Sequence, residues 1–269
     1  MKLELRDSIL LLLRDGPRTT GELAKELSAG STTINHACKR LLDEGCLEHE
    51  HRGDYRLSEV GLIEADLIAS RVVLREQAEF WQGHDLSGIP RQLLACIGDL
   101  SGCRVVRDGD GDFLKSQQEF ISAVSQAKTI YGVSPIIAPG YPDMIAGLVA
   151  GGADVHLILT REVIGQIDPA RVGPLCECMN FHLHIASSAR VAFTVADDCL
   201  FMGLYRLDGR YDLDSDLVCQ GESGSAVGVG NHTIELSAGN LSYNLSESGE
   251  MASWRVICCN NTGMWEIDL

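Results

Sequence analysis

Apolar residues recur at helical spacing in the first part of the chain and predict two short helices there. The first covers Leu3–Arg14 and places its leucines and Ile9 on one face before the Asp15-Gly16-Pro17 turn ends it. Thr19 and Glu22 have the spacing of a capping box, which starts the second helix. Ser28-Ala29-Gly30 then forms a turn, so the pattern predicts a helix–turn–helix whose last helix follows directly.

That third helix runs from Ser31 to Gly45, with hydroxyl residues at its start and a glycine suited to a left-handed cap at its end. Its apolar face is formed by Ile34, Ala37, Cys38 and Leu41. The rest of its surface is polar or cationic and consists of Thr32, Thr33, Asn35, His36, Lys39 and Arg40. A surface of this kind fits the major groove of double-stranded DNA. The alternative is an ordinary amphipathic helix with a solvated face.

A β-hairpin follows the third helix. Cys46–His49 and Tyr55–Leu57 are the predicted strands, and a polar tip with Gly53 joins them. Arg52 in this tip is placed to contact a phosphate or the minor groove, although a solvated loop residue would have the same pattern. Residues 1–58 are therefore predicted to form a winged helix-turn-helix, an α+β DNA-binding domain.

A long helix is predicted to start at Ser58 and to extend as far as Trp81. Its apolar residues cover too wide an arc for one small domain to bury. Residues 59–90 are therefore interpreted as a connecting and dimerisation segment. We expect a homodimer, because two DNA-binding domains related by a two-fold axis bind two DNA half-sites related in the same way.

Strands and helices alternate over residues 91–220 and predict an α/β domain with a largely parallel sheet. The predicted strands and helices are 104–106, 113–127, 129–133, 141–150 and 155–160, followed by a hairpin of 189–195 and 199–207. Ligands of such sheets bind beyond the carboxyl ends of the strands. The residues expected to contact a small-molecule effector are Ser134, Tyr141, Thr160 and Arg161, with ordinary loop positions as the alternative.

Residues 221–269 differ in composition, since Gly, Ser and Asn dominate until Trp254. This polar tail has no predicted amphipathic helix. A segment without regular structure, a local extension and a shifted reading frame are three interpretations that its composition leaves open.

Charge and cysteine content restrict the function. The net charge of −16 is unusual for a protein that binds DNA, although residues 1–58 carry nine Lys and Arg against ten Asp and Glu. Strong nonspecific DNA binding is therefore not expected. We expect no signal peptide or membrane span, because the apolar run Ile9–Leu13 is too short for either. The ten cysteines are accordingly predicted to be reduced thiols of a cytoplasmic protein.

The densest group of possible metal ligands is Cys176, Cys178 and His182. Thiolates and imidazoles bind zinc and related metals, but a Cys-x-Cys spacing is shorter than that of most zinc sites. Metal binding, thiol redox sensing and a purely structural role all remain open, with the structural role favoured.

Several stretches resemble known families. The segments PRTTGELAKEL, STTINHACKRLLDEGCLEHE and YRLSEVG are similar to winged-helix regulators of the arsenic-repressor type. The segments FWQGHDLSGIP (80–90), GVSPIIAPGYPDM (132–144), LILTREV (157–163) and ARVAFTVADDCLFMGLYRLDGRYD (189–212) resemble the middle domain of the archaeal methanogenesis-regulator family. The resemblance implies a transcriptional regulator whose middle domain, of phospholipase D-like fold, receives a signal.

The chain is predicted not to be an enzyme and to need no cofactor. Phospholipase D-type hydrolysis requires a His followed two residues later by a Lys, and no His of this chain has that neighbour. No Gly-x-Ser-x-Gly elbow is present either. The leading hypothesis is a DNA-binding transcriptional regulator with a signal-sensing domain. The alternatives are a metal- or thiol-responsive regulator and a hydrolase-like α/β enzyme with an accessory helical module.

Overall fold

The computed structural model describes residues 3–49, 53–109, 111, 114–220, 233–235, 255–260 and 263–268. The chain divides into two compact units. The first, called the N-terminal unit, contains Met1–Ala78 and Arg91–Gly102. The second, called the sheet unit, contains Glu79–Pro90 and Cys103–Gly221 together with the strands near the C-terminus.

Helices of the described residues are α1 Leu5–Leu13, α2 Thr20–Glu26, α3 Ser31–Asp43, α4 Glu59–Glu76, α5 Ala78–Gly83, α6 Arg91–Ala95, α7 Lys115–Val124, α8 Tyr141–Ala150, α9 Arg161–Ile164 and α10 Pro169–Cys176, with a 3-10 helix at Ile97–Leu100. The strands are β1 Leu47–His49, β2 Tyr55–Leu57, β3 His84–Asp85, β4 Arg104–Arg107, β5 Thr129–Ser134, β6 Asp154–Thr160, β7 Phe181–Ala186, β8 Val191–Ala196, β9 Cys199–Arg206, β10 Ser215–Gln220, β11 Thr233–Glu235, β12 Arg255–Asn260 and β13 Gly263–Asp268.

Local sequence signals set the ends of the first helices. The capping box at α2 is confirmed, because Thr19 accepts from the Glu22 amide while the Glu22 carboxylate accepts from the Thr19 amide. Gly45 has φ of +75° after α3, a left-handed conformation that favours glycine. The expected hydroxyl cap of α3 is not made, since Gly30 occupies the N-cap position and Ser31 is already helical.

The N-terminal unit is a winged helix. Strands β1 and β2 form the antiparallel wing, with Leu47 opposite Leu57. The core brings together side chains from α1, α2, α3, the wing and α4, which include Ile9, Leu10, Leu23, Ile34, Leu41 and Ala65. Each of these six residues has no more than 1% of its surface exposed, so the helices are held in place by one shared core.

The predicted long helix is in fact two helices. Ser58 caps α4 by accepting from the Gly61 amide, as the sequence suggests. The helix then ends at Glu76 rather than at Trp81, because Gln77 leaves the helical region with φ of −116° and ψ of 32°. Phe80 and Trp81 belong to α5, where both side chains are buried.

The sheet unit contains a mixed sheet with the strand order β4-β10-β9-β8-β5-β6-β7, and β3 also pairs with β9. Only the pairs β5–β6 and β6–β7 of this sheet are parallel. The expectation of a largely parallel sheet was therefore wrong. The β8–β9 hairpin joins β5 in antiparallel fashion, and β10 and β4 continue that arrangement to the edge.

A buried ionic network joins the segments 80–90 and 189–212 of the sheet unit. His84 is placed with Nδ1 2.6 Å from the Phe80 carbonyl oxygen and Nε2 2.9 Å from Asp212 Oδ2. The imidazole therefore links the Phe80 carbonyl to the Asp212 carboxylate inside the fold. Arg206 Nε also donates to Asp212, at 3.1 Å, and Ser215 Oγ donates to it at 2.6 Å. His84, Arg206 and Asp212, which lie in the segments 80–90 and 189–212, therefore help to hold these two segments together.

One disulfide corrects the prediction of reduced thiols. Cys103 and Cys219 are bonded to each other, with their Cα atoms 4.3 Å apart. Cys103 directly precedes β4, and Arg104 of that strand lies opposite Val218 of β10. The two cysteines are therefore cross-strand neighbours, a relation that cannot be read from positions 116 residues apart.

The polar tail lies mostly outside the described residues. Its described part is an antiparallel sheet of the order β11-β12-β13. Among the described helices, none combines the length and the hydrophobicity that a membrane crossing requires.

Replacing Asp212 by Asn should destabilise the protein strongly, because His84 would be left buried without its anionic partner. Removal of a partner that leaves a buried polar group unsatisfied costs about 1–3 kcal/mol of unfolding free energy. Chemical denaturation measures this change. Asp208→Asn is the matched control, since Asp208 makes an exposed pair with Arg210 and its loss should matter far less. Equal stability of the two variants would contradict a structural role for the network.

Candidate nucleic-acid interface and ligand cavity

Helix α3 presents the predicted DNA-binding residues to solvent. Ile34, Cys38 and Leu41 point into the core of the N-terminal unit and are at most 1% exposed. With that face buried, the remaining surface of the helix carries Thr32, Thr33, Asn35, His36, Lys39 and Arg40, all of them exposed. The arrangement offers hydroxyl, amide, imidazole and cationic groups on a single helix of 13 residues.

The cations of the N-terminal unit fall into two groups. Five arginines form ion pairs with carboxylates of the same unit, namely Arg6 with Glu44 and Glu64, Arg14 with Asp66 and Asp99, Arg18 with Glu26 and Asp15, Arg56 with Glu48, and Arg71 with Asp7. Lys39 and Arg40 have no ion pair with any residue that the structure describes. Lys39 and Arg40 therefore place two unpaired positive charges next to each other on the outward face of α3. Lys25 and Arg91 of the same unit also have no described ion pair.

Of the predicted DNA-contacting residues Asn35 and Arg52, the structure describes the first but not the second. Asn35 accepts a hydrogen bond from Thr20 Oγ1 at 2.9 Å, which fixes its amide between α2 and α3. Arg52, at the tip of the wing, lies outside the described residues.

An apolar cavity of about 110 Å³ lies in the sheet unit between one face of the sheet and helices α7, α8 and α10. Its floor is built from alternate positions of the parallel strands, which include Ile130, Gly132, Ser134, Leu157, Leu159 and Leu183. The helices that face the sheet do not fill this space. Helix α8 has one buried residue and α10 has none.

The residues predicted to contact an effector divide between this cavity and its surroundings. Ser134 and Tyr141 both line the cavity. Thr160 and Arg161 do not line it. Thr160 is 4% exposed and accepts a hydrogen bond from the Val163 amide, so its side chain caps α9. Arg161 is exposed.

A buried polar group beside the cavity was missed by the sequence reasoning. Ser116 Oγ donates to Asp216, and burial raises the pKa of Asp216 to about 6. Burial, reinforced by the charge of Asp216, raises the pKa of Tyr141 to about 12. The hydroxyl of Tyr211 lies over Gly203 and next to Asp216, where any side chain at position 203 would overlap it. Tyr141 thus lines the apolar cavity and also lies near the buried Asp216 carboxyl group.

The predicted metal ligands Cys176, Cys178 and His182 are not brought together as a set. Among the described residues, the group whose ligand atoms converge is Asp154, His156 and His182. Cys178 instead packs against the core beneath α8 and α10. The sequence contained a signal for the observed group, because Asp154 and His156 alternate on one strand as His182 and His184 do on another.

Five of the described free thiols have raised pKa values. Burial is the main cause that raises the pKa of Cys38, to about 11, and also that of Cys46, Cys96, Cys176 and Cys199. Redox-sensing cysteines have lowered pKa values, since the thiolate is the reactive form. The thiol-responsive alternative therefore gains nothing from these five cysteines.

Family models match both parts of the chain. Residues 1–74 match the N-terminal domain of the methanogenesis regulatory protein FilR1, and residues 114–228 match the middle domain of that protein. The methanogenesis regulatory protein FilR1 of Methanothrix harundinacea (strain 6Ac) is 28% identical over 238 residues, which cover 84% of this chain and 53% of that protein. The chain thus spans about half the length of the curated relative that it matches.

Solved structures are similar only at a distance. TrmBL2, an archaeal chromatin protein with a novel mode of DNA binding, has 16% identity and a TM-score of 0.37, over 80% of this chain and 85% of that one. IdeR of T. acidophilum has 18% identity and a TM-score of 0.26, over 36% of this chain and 46% of that one. TM-scores this low do not establish a common fold, and the phospholipase D-like fold gains no support from these two structures.

The two family models cover the winged helix and most of the sheet unit, and the relative from Methanothrix aligns with both. The resemblance noted in the sequence is therefore confirmed. The chain belongs to the archaeal family of the methanogenesis regulatory protein FilR1.

Proposed function

We propose that this protein is a transcriptional regulator that reads double-stranded DNA through helix α3. The observation that carries the proposal is the free positive charge of Lys39 and Arg40 beside the exposed polar residues of the same helix. In helix–turn–helix proteins the second helix of the pair enters the major groove, and α3 has that position after α2. Lys39 and Arg40 would bind phosphates, while Thr32, Thr33, Asn35 and His36 would contact base edges or the backbone.

The charge distribution explains how an acidic protein could bind DNA. Five arginines of the N-terminal unit are already paired with carboxylates. Few phosphate contacts are thus available, so binding would depend on sequence-specific contacts and would be only moderately sensitive to salt. Arg52 of the wing remains a proposed additional contact.

Lys39→Ala and Arg40→Ala should each weaken binding to the upstream region of the protein's own gene. Loss of one phosphate contact reduces the slope of log K against log salt by about one unit. Fluorescence anisotropy over a series of salt concentrations measures both effects. Arg71→Ala is the matched control, since Arg71 is exposed but paired with Asp7. If Lys39→Ala and Arg40→Ala behave like this control, α3 is not the DNA-reading helix.

The regulator is further proposed to be a homodimer that pairs through α4. Val60, Ile63, Leu67 and Leu74 form a stripe on this helix and are 53%, 63%, 66% and 43% exposed. Their spacing of three, four and seven residues places them on one face, opposite the buried residues of α4. The proposed partner is α4 of a second copy of the chain, because two symmetry-related DNA half-sites require two DNA-binding domains.

Ile63→Glu and Leu67→Glu together should convert the dimer into a monomer, since two charges would be placed in the apolar contact. Light scattering at micromolar protein concentration measures the mass. Leu213→Glu is the control, because Leu213 is 68% exposed but lies in the sheet unit. A wild-type protein that is already monomeric would exclude this interface.

The sheet unit is proposed to bind a small effector in its apolar cavity. A dry apolar cavity of about 150 Å³ can hold benzene, so a cavity of about 110 Å³ suits a small ring or a short aliphatic group. Ser134, Tyr141, Thr194 and Arg171 are the polar residues of the lining, and Ser134 and Tyr141 are proposed to orient such a molecule. The effector would shift DNA affinity only by its different affinities for two states of the protein.

Leu159→Phe should fill the cavity and abolish binding of phenol, the probe for this site. Phenol at ten times its Kd would stabilise the wild-type protein by about 1.4 kcal/mol, which thermal unfolding detects as a raised Tm. Arg161→Ala serves as the control outside the cavity and should keep the shift. A shift that persists in Leu159→Phe would place the binding site elsewhere.

A further inference from the structure

A second cluster of chemically active side chains lies on the sheet unit, formed by Asp154 and His156 of β6 and His182 of β7. His156 and His182 are direct neighbours across the parallel strands. Asp154 stands two residues before His156 and so faces the same side of the sheet. The cavity is lined by Leu157, Leu159 and Leu183, which alternate along the strands with His156 and His182. The cluster therefore lies on the opposite face of the sheet.

The ligand atoms of the cluster converge, since all three lie within 4.8 Å of one another. His156 Nε2 lies 3.3 Å from Asp154 Oδ2, and His182 Nε2 lies 3.7 Å from Asp154 Oδ1. Nitrogen and oxygen ligands of a tetrahedral zinc ion, each 2.0–2.2 Å from the metal, lie roughly 3.3–3.6 Å apart. The His156–Asp154 distance falls in this range, and the His182–Asp154 distance is slightly longer than it and longer than a hydrogen bond.

Ring stacking holds the two imidazoles in place. The rings of His156 and His182 are 4.2 Å apart and inclined by 18°, and the ring of Tyr131 stacks on the other side of His156 at 4.7 Å. These three residues form one row across β5, β6 and β7. A rigid sheet therefore positions the ligands, which lowers the cost of ordering them around an ion.

The cluster is also open to solvent. The side chains of His156, His182 and Asp154 are 25%, 44% and 48% exposed. An ion could enter without a change in the fold, and three protein ligands leave a coordination position for water or another molecule. Two imidazoles and one carboxylate suit divalent first-row transition metals, whereas calcium and magnesium favour oxygen ligands alone.

We propose that Asp154, His156 and His182 form a binding site for one divalent transition-metal ion such as zinc. The site uses no cysteine and is separate from both α3 and the apolar cavity. It therefore does not depend on the proposed function, and the failure of one would leave the other standing.

The test uses the full chain after treatment with a chelator, with zinc alone as the titrant and cobalt as the spectroscopic probe. Isothermal titration should show one zinc ion bound per chain. Loss of a residue that only hydrogen-bonds to a metal ligand weakens metal binding roughly 10- to 100-fold. His156→Ala, His182→Ala and Asp154→Asn each remove a proposed ligand, so each should weaken zinc binding by more than this. Bound cobalt should show visible ligand-field bands without a thiolate charge-transfer band.

Two controls separate this site from other ligands. The double variant Cys176→Ser/Cys178→Ser and the variant His49→Ala should bind zinc as tightly as the wild type. Thermal unfolding without metal checks that every variant is folded, and zinc should raise the Tm of the wild type but not that of Asp154→Asn. The proposal is overturned if the wild type binds no zinc, if the three site variants bind it unchanged, or if the cysteine variant loses it.

Discussion

The rotation of helix α3 about its own axis is the constraint on which the rest of the account depends. Ile34, Cys38 and Leu41 are almost completely buried, and they can share one core with α1, α2 and the wing only in this rotation. A shift by one residue turns a helix by about 100° and would bury polar groups instead. The core thus determines that Lys39 and Arg40 face outward. Five arginines elsewhere in the unit are paired with carboxylates, so packing and charge together favour the outward face of α3 as the proposed DNA-binding surface.

Much of the fold follows from local signals in the sequence. The capping box of Thr19 and Glu22, the left-handed Gly45 and the complete helix α8 were predicted from residue type and spacing, and the structure has all three. The two hairpins, β1–β2 and β8–β9, were also predicted and are present. Strand pairings between segments farther apart in sequence were not predicted. The antiparallel pairing of β8 with β5 and of β10 with β4 does not follow from periodicity, because these strands are far apart in sequence. The Cys103–Cys219 bond depends on the pairing of β10 with β4 and was missed for the same reason.

The candidate sites show the same division. The rule that ligands bind beyond the carboxyl ends of parallel strands identified Ser134 and Tyr141, which line the cavity, but the rule also selected Thr160, whose hydroxyl caps α9 instead. The search for metal ligands found His182 but paired it with nearby cysteines. Its actual neighbours, Asp154 and His156, come from the adjacent strand, and the register that joins them is a property of the folded sheet.

The central claim is that α3 lies against DNA when this protein binds its operator, and photo-crosslinking tests it most directly. A benzophenone amino acid placed at His36 of the full chain, on the exposed face of α3, should crosslink to DNA from the upstream region of its own gene. The same group at Arg71, on the face of α4 that contacts α1 through Asp7, should crosslink far less. Crosslinking from position 71 and none from position 36, with both proteins binding the DNA, would contradict the account.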